Sequence, residues 1–246
     1  EFSGQEQQLT ISGLTQAEDG STTSVTAMGS MFNMVSGTLN ISTSKLNLVD
    51  SITSASGSVI KADGNAVTIN ITADAYITNN NATSGLGTIY VNNSSSNLNI
   101  SAGYIVNNNA VNGGGIYLNN GNLTISANAK IKNNTADIGG GVYLNNGTIL
   151  LTGGEIDSNL AVTSGGGIYM YGGTININGG NILNNSAKEI QNEASTLYGE
   201  GGGLYMYGGT VNFESGNIAG NEAGQGGGVY MYGARATFVM KGATAK

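Results

Sequence analysis

Residues 165–173 read Gly-Gly-Gly-Ile-Tyr-Met-Tyr-Gly-Gly. Glycine on both flanks weakens any strand or helix, yet the residues between are large and two are aromatic. The stretch makes sense as one copy of a repeat. Triple glycines followed by an aliphatic residue and Tyr begin at Gly113, Gly139, Gly165, Gly201 and Gly226, at intervals of 26, 26, 36 and 25 residues. A weaker copy, Gly87-Thr-Ile-Tyr90, lies one interval upstream. A fixed period of this size is the signature of stacked supersecondary units. The triple glycine then marks a sharp turn whose backbone angles other residues avoid.

A second motif, Ile-x-x-Asn-x-Ala, runs in step. Its asparagines are Asn80, Asn108, Asn134, Asn159, Asn185 and Asn221. Between the two motifs sits an alternating run, such as Leu123-Thr-Ile125 or Ile175-Asn-Ile177. Two of the three apolar segments alternate with period two, which is strand periodicity, and no amphipathic helical pattern competes. Three strands in about 26 residues make one coil of an all-β parallel β-helix, rising by one strand spacing of roughly 4.8 Å. The parity places Ile116 and Leu118 inward and Tyr117 outward. One Asn per coil at one height predicts an amide ladder along a corner.

Residues 1–84 follow the repeat loosely and are read as an N-terminal cap with irregular first coils; residues 85–246 carry the regular repeats of the same continuous solenoid. Residues 1–35, with Phe2, Met28, Met31, Phe32 and Met34, are the candidate cap over the open strand edge. Glu1-Phe2 reads as a cloning scar and Thr237–Met240 as half a coil, so the chain is read as a piece of something longer. Eight or nine coils are expected.

Composition narrows the function classes. Charged residues make up 9% of the 246, far below the usual quarter. The net charge of −7 argues against a nucleic-acid partner, and the eight scattered Lys and Arg against an anionic membrane surface. With no cysteine there are no disulfides or thiolate metal sites, and with no histidine the commonest catalytic base and metal ligand is missing. No apolar run approaches 18 residues, so no membrane-inserting helix is expected. Neither a cofactor nor a metal is expected.

The pairing of Ile-x-x-Asn with Gly-Gly-Gly-[Ile/Val/Leu] over about residues 77–232 resembles the repeats of the polymorphic outer membrane proteins. That family pairs Phe-x-x-Asn with Gly-Gly-Ala-[Ile/Leu/Val]. The six asparagines above match the family Asn, and Gly113-Gly114, Gly139-Gly140, Gly165-Gly166, Gly201-Gly202 and Gly226-Gly227 match its glycine pair. Ile stands for Phe and a third Gly for Ala, and the family's C-terminal membrane barrel is missing. The resemblance implies a right-handed β-helix in a secreted, bacterial cell-surface passenger, commonly an adhesin and part of a larger surface protein.

Candidate binding residues are the outward tyrosines. Tyr90, Tyr117, Tyr143, Tyr169, Tyr205 and Tyr230 hold one position in successive coils, and Tyr171, Tyr207 and Tyr232 a second column two residues on. Such a face suits sugar rings or a protein partner. Ring ladders also stabilise sheets without binding anything. A β-helix lyase or hydrolase would need clustered carboxylates. Glu155 and Asp157 share a face, but the other coils give them no partner on this reading, so no catalytic residue is assigned. The ten extra residues of the 36-residue interval, around Lys188–Glu200 with Glu189, Glu193 and Tyr198, form a loop that suits a partner or a cation. The expectation is a non-enzymatic module that binds a host glycan or a host protein. The alternatives are a stalk that displays another domain and a polysaccharide lyase or glycoside hydrolase.

Overall fold

A computed structural model describes residues 8–11, 23–25, 30–44, 46–49, 52–53, 58–82, 86–188 and 199–241. Within them the chain is all-β, and every strand pairing is parallel. About seven complete turns stack into a solenoid, with a partial turn at each end, rather than the eight or nine expected. Successive turns are roughly 27 residues apart.

One turn illustrates the rest. It runs through strands Val142–Leu144, Thr148–Leu151, Glu155–Asp157 and Leu160–Ser164. The first three match the three predicted strands. The fourth is an addition, and its copies form a separate seven-stranded sheet. In most turns it is only a few residues long, as in Asn81–Ala82 and Ser186–Ala187. It carries the Ala of the Ile-x-x-Asn-x-Ala motif, and Ala82, Ala136, Ala161 and Ala187 point into the core.

Register is strict. Ile116, Val142, Ile168 and Leu204 lie one above another, as do Tyr117, Tyr143, Tyr169 and Tyr205. The parity is as expected: Ile116 and Leu118 are fully buried and Tyr117 is half-exposed. A continuous column of Ile, Leu, Val and Met fills the interior from Met34 to Val211. Each fully buried aliphatic contributes about 1.5–3 kcal/mol, and every turn repeats the contribution. The same register reaches back into the loosely patterned residues, where Phe32 pairs with Ile60 and Ile60 with Ile89. The residues of the candidate cap other than 8–11, 23–25 and 30–35, among them Phe2 and Met28, lie outside the described residues.

The opening glycines have two different causes. Gly165 adopts φ 69°, in the left-handed region. Gly166 must be bare because a Cβ there would sit 2.6 Å from the carbonyl oxygen of Gly202 in the next turn. At Gly167 a Cβ would meet the Gly203 oxygen at 2.6 Å and the Asn185 amide at 2.9 Å. Only the first of the three is a glycine of backbone angle; the other two allow close approach between turns.

That Asn185 belongs to the predicted ladder. Asn134 is typical: its backbone N–H and its Nδ2 both donate to Asn159 Oδ1 at 3.0 Å, and Nδ2 also donates to the Ile105 carbonyl at 2.8 Å. Its own Oδ1 accepts the same pair of bonds from Asn108. The series continues from Asn80 through Asn221, buried throughout except at half-buried Asn221. The residue before each ladder Asn turns the corner in the left-handed region: Asn79, Asn107, Asn133, Ser158, Asn184 and Gly220 have φ between 51° and 67°. Asn and Gly tolerate that region best, which accounts for the repeated Asn-Asn pairs.

Candidate ligand groove

The predicted tyrosine columns form, but they differ in exposure. In the first, ring centroids are 4.6 Å apart for Tyr117–Tyr143, 5.1 Å for Tyr143–Tyr169 and 4.8 Å for Tyr169–Tyr205, with the rings stacked nearly parallel. Each ring covers the next. Tyr90 and Tyr205 are only 7% and 6% exposed, and Tyr117, Tyr143, Tyr169 and Tyr230 are half-buried. Burial pushes the Tyr90 phenol up to about 12. It also raises Tyr117, Tyr143, Tyr169 and Tyr205, and in Tyr230 the nearby Glu200 carboxylate adds to it. These rings cover one another and are less exposed than those of the second column.

The second column is different. Tyr171 stacks on Tyr207 at 4.9 Å and Tyr207 on Tyr232 at 5.8 Å, yet the three remain 49%, 42% and 62% exposed. They form one wall of a groove of about 1000 Å³. Gly172, Gly208 and Gly233 line it without side chains, Asn145 and Asn146 stand at one end, and Arg235 at the other.

The groove arises from a change within the repeat. The corner after the first strand reads Asn119-Asn120-Gly121 in one turn and Asn145-Asn146-Gly147 in the next. It then becomes Tyr171-Gly172-Gly173 and Tyr207-Gly208-Gly209. The third residue keeps its left-handed angle throughout, at φ 103°, 109°, 88° and 85°. The backbone course is the same, so the fold requires neither Tyr nor the middle Gly. The switch replaces an amide column with rings and strips the neighbouring column to bare backbone.

The amide column it replaces has a direction. Asn119 donates to Asn92, and Asn145 Nδ2 donates to Asn119 Oδ1 at 2.6 Å. Asn146 Nδ2 donates to Asn120 Oδ1 at 3.3 Å. Each amide points toward the preceding turn. At the switch no further Asn follows, so Asn145 and Asn146 present their carbonyl oxygens to the groove.

At the last corner the chain lengthens. Only Gly208 separates Tyr207 from Gly209, whereas Gly233, Ala234 and Arg235 separate Tyr232 from Ala236, the register partner of Gly209. The added residues include the only arginine of the chain.

A second cluster lies on the third strands, and it overturns the expectation that Glu155 and Asp157 lack partners. Register places Lys130 beside Glu155 and Lys132 beside Asp157. Lys130 Nζ is 2.7 Å from Glu155, and Lys132 Nζ is 2.6 Å from Asp157. Asn184 and Ser158 also donate to Asp157 Oδ1. Burial alone would raise the Asp157 pKa, but these hydrogen bonds outweigh it and hold the carboxyl below its ordinary value. The Asp157 hydrogen bond raises Lys132 in turn. In the two turns before Lys130 the same face carries a stacked pair, Tyr76 and Tyr104 at 4.5 Å, which belongs to neither repeated motif. The four charges pair with one another. Among the described residues no group of three or more acidic side chains is placed to hold a metal ion.

Within the 188–200 loop, residues 189–198, including Glu189, Glu193 and Tyr198, lie outside the described residues. At its ends, Lys188 Nζ pairs with Glu222 at 2.6 Å and Glu200 bridges to Ser164. No family model, no curated protein and no solved structure matches the chain.

Proposed function

We propose that this solenoid is a non-enzymatic binding module and that its site is the corner groove walled by Tyr171, Tyr207 and Tyr232. The observation that carries the reading is the switch from Asn-Asn-Gly to Tyr-Gly-Gly on an unchanged backbone. It exposes three large rings where the solenoid had a self-satisfied amide column. Exposed aromatic surface carries a solvation cost that a purely structural corner avoids by keeping Asn.

The groove suits a saccharide. Ring faces stack on the apolar face of a pyranose, and tyrosine gives rigid contact at low entropic cost. The Asn145 and Asn146 oxygens accept from hydroxyls, and the bare glycines let a ligand approach the backbone. On this reading the module is a surface adhesin for a host glycan, with a host protein as the competing ligand class. The stalk reading has its own support in the first tyrosine column, whose rings are spent on one another. Cell-surface localisation belongs to the adhesin reading and rests on the likeness of the repeats.

The test is a glycan array and a host-protein pull-down, run with wild type and with a Tyr171→Ser/Tyr207→Ser/Tyr232→Ser variant of unchanged circular dichroism. Glycan binding that drops at least tenfold in the variant supports the groove. A protein captured equally by both chains moves the site elsewhere, and no ligand for either chain favours the stalk.

A further inference from the structure

We propose that the groove's ligand is an acidic saccharide whose carboxylate is held by Arg235. The proposal rests on the saccharide reading of the groove and adds the charge of its ligand.

Three observations converge on Arg235. It stands on the residues added at the last corner, which the register of the flanking strands does not need. It lines the groove beside the exposed tyrosines. It is also the only described cation without an acid. Lys61, Lys130, Lys132, Lys188 and Lys241 each have a carboxylate within 4.0 Å. No described carboxylate lies so near Arg235. Acids outnumber basic residues 15 to 8, and one cation kept apart from them at a groove is set to receive an anion from outside.

The residue type narrows that anion. The guanidinium fork matches a planar carboxylate with two parallel hydrogen bonds, and charge-assisted pairs of this kind are about twice as strong as neutral ones. The other groove donors and acceptors are neutral. Asn145 and Asn146, at the opposite end, offer oxygens that suit hydroxyls and would oppose an anion. The groove is therefore polarised: hydroxyls at the Asn end, ring faces along Tyr171, Tyr207 and Tyr232, carboxylate at the Arg235 end. The overall negative charge gives no long-range attraction, so selectivity comes from this one contact, within a Debye length of about 8 Å.

Isothermal calorimetry on the full chain tests the proposal. The probes are a hyaluronan octasaccharide and its carboxyl-reduced neutral form, then sialyllactose and lactose. The two pairs separate an internal uronate from a terminal sialic acid as the source of the carboxylate. Wild type is expected to bind at least one acidic member about tenfold or more tighter than its neutral counterpart. Arg235→Gln should remove that preference by losing far more affinity for the acidic member than for its neutral counterpart, while Arg235→Lys should keep part of it. Equal affinity for the acidic and neutral members overturns the carboxylate but leaves the groove standing. So does an Arg235→Gln variant that loses both members alike. Failure of all four probes to bind overturns the carboxylate and the saccharide groove together.

Discussion

Asn134 shows what one ladder side chain holds together. It closes four hydrogen bonds around buried groups, two as donor from its amide, and two as acceptor from Asn108. Substituting Ala takes the acceptor from the buried Asn108 N–H, one of two acceptors from the Asn108 amide, and the side-chain donor from the Ile105 carbonyl. A buried group deprived of its partner costs about 1–3 kcal/mol, so Asn134→Ala is expected to lose about 3 kcal/mol or more in urea melts. Asn134→Asp should cost at least as much near neutral pH. It keeps an acceptor but loses the donor to Ile105 and buries a charge. A loss below about 1 kcal/mol for the Ala variant would mean that water replaces the ladder. The Asn was legible in the sequence because it recurs at one spacing. Its left-handed predecessor was not, because Asn133 beside Asn134 looks like ordinary polar corner composition until the backbone angle is known.

The first tyrosine column acts as one sheet-stabilising strip. Each stacked pair adds roughly 0.2–1 kcal/mol, and the rings protect one another's phenols. Burial raises these phenols, so the folded chain holds its protons where the unfolded chain has released them. Their contribution is whole below the ordinary tyrosine value of 10.0 and is lost as pH rises through the folded values, with Tyr90 at about 12. Stability should therefore hold to about pH 10 and fall beyond it. Tyr143→Phe keeps the stack but cannot ionise, and its alkaline decline should be shallower than wild type's, as urea midpoints at successive pH values would reveal. Identical declines would mean that Tyr143 ionises as freely folded as unfolded. The column itself was legible from parity, but its exposure was not, since ring-on-ring cover depends on the distance between turns. The ion pairs on the third strands were hidden for a related reason. Lys130 and Glu155 are 25 residues apart, and only the register makes them neighbours.

Because each turn touches only the ones above and below, the solenoid should tolerate loss of a whole turn. Deleting residues 116–141 joins Gly115 to Val142 and sets Asn108 beside Asn159, Tyr90 beside Tyr143 and Asn92 beside Asn145. Circular dichroism should stay that of a β protein with a cooperative melt, and ligand affinity should stay within about twofold because the groove begins at Asn145. Deleting residues 116–128 instead brings unlike strands together and should abolish folding. A full-turn deletion that unfolds would show that the turns cooperate beyond their neighbours. The repeat made this architecture legible almost throughout, save the fourth strand, whose two-residue copies are too short to alternate. The groove was harder to see. Its signature is a departure from the repeat, Asn-Asn-Gly to Tyr-Gly-Gly, and the glycines had already been explained as turn residues.

The parallel ladders also fix how the protein bears load. Among the described residues, backbone hydrogen bonds between turns run along the solenoid axis and tie each turn only to its neighbours. Tension applied to the chain ends would open these ladders one at a time rather than shear them together. Each event would release about 26 residues, roughly 90 Å of extended chain. The last described strands, Val229–Met231 and Ala236–Met240, flank the corner that carries Tyr232 and Arg235. When the ladder below that corner opens, Arg235 and Tyr232 leave together, so grip and ligand would fail in the same step.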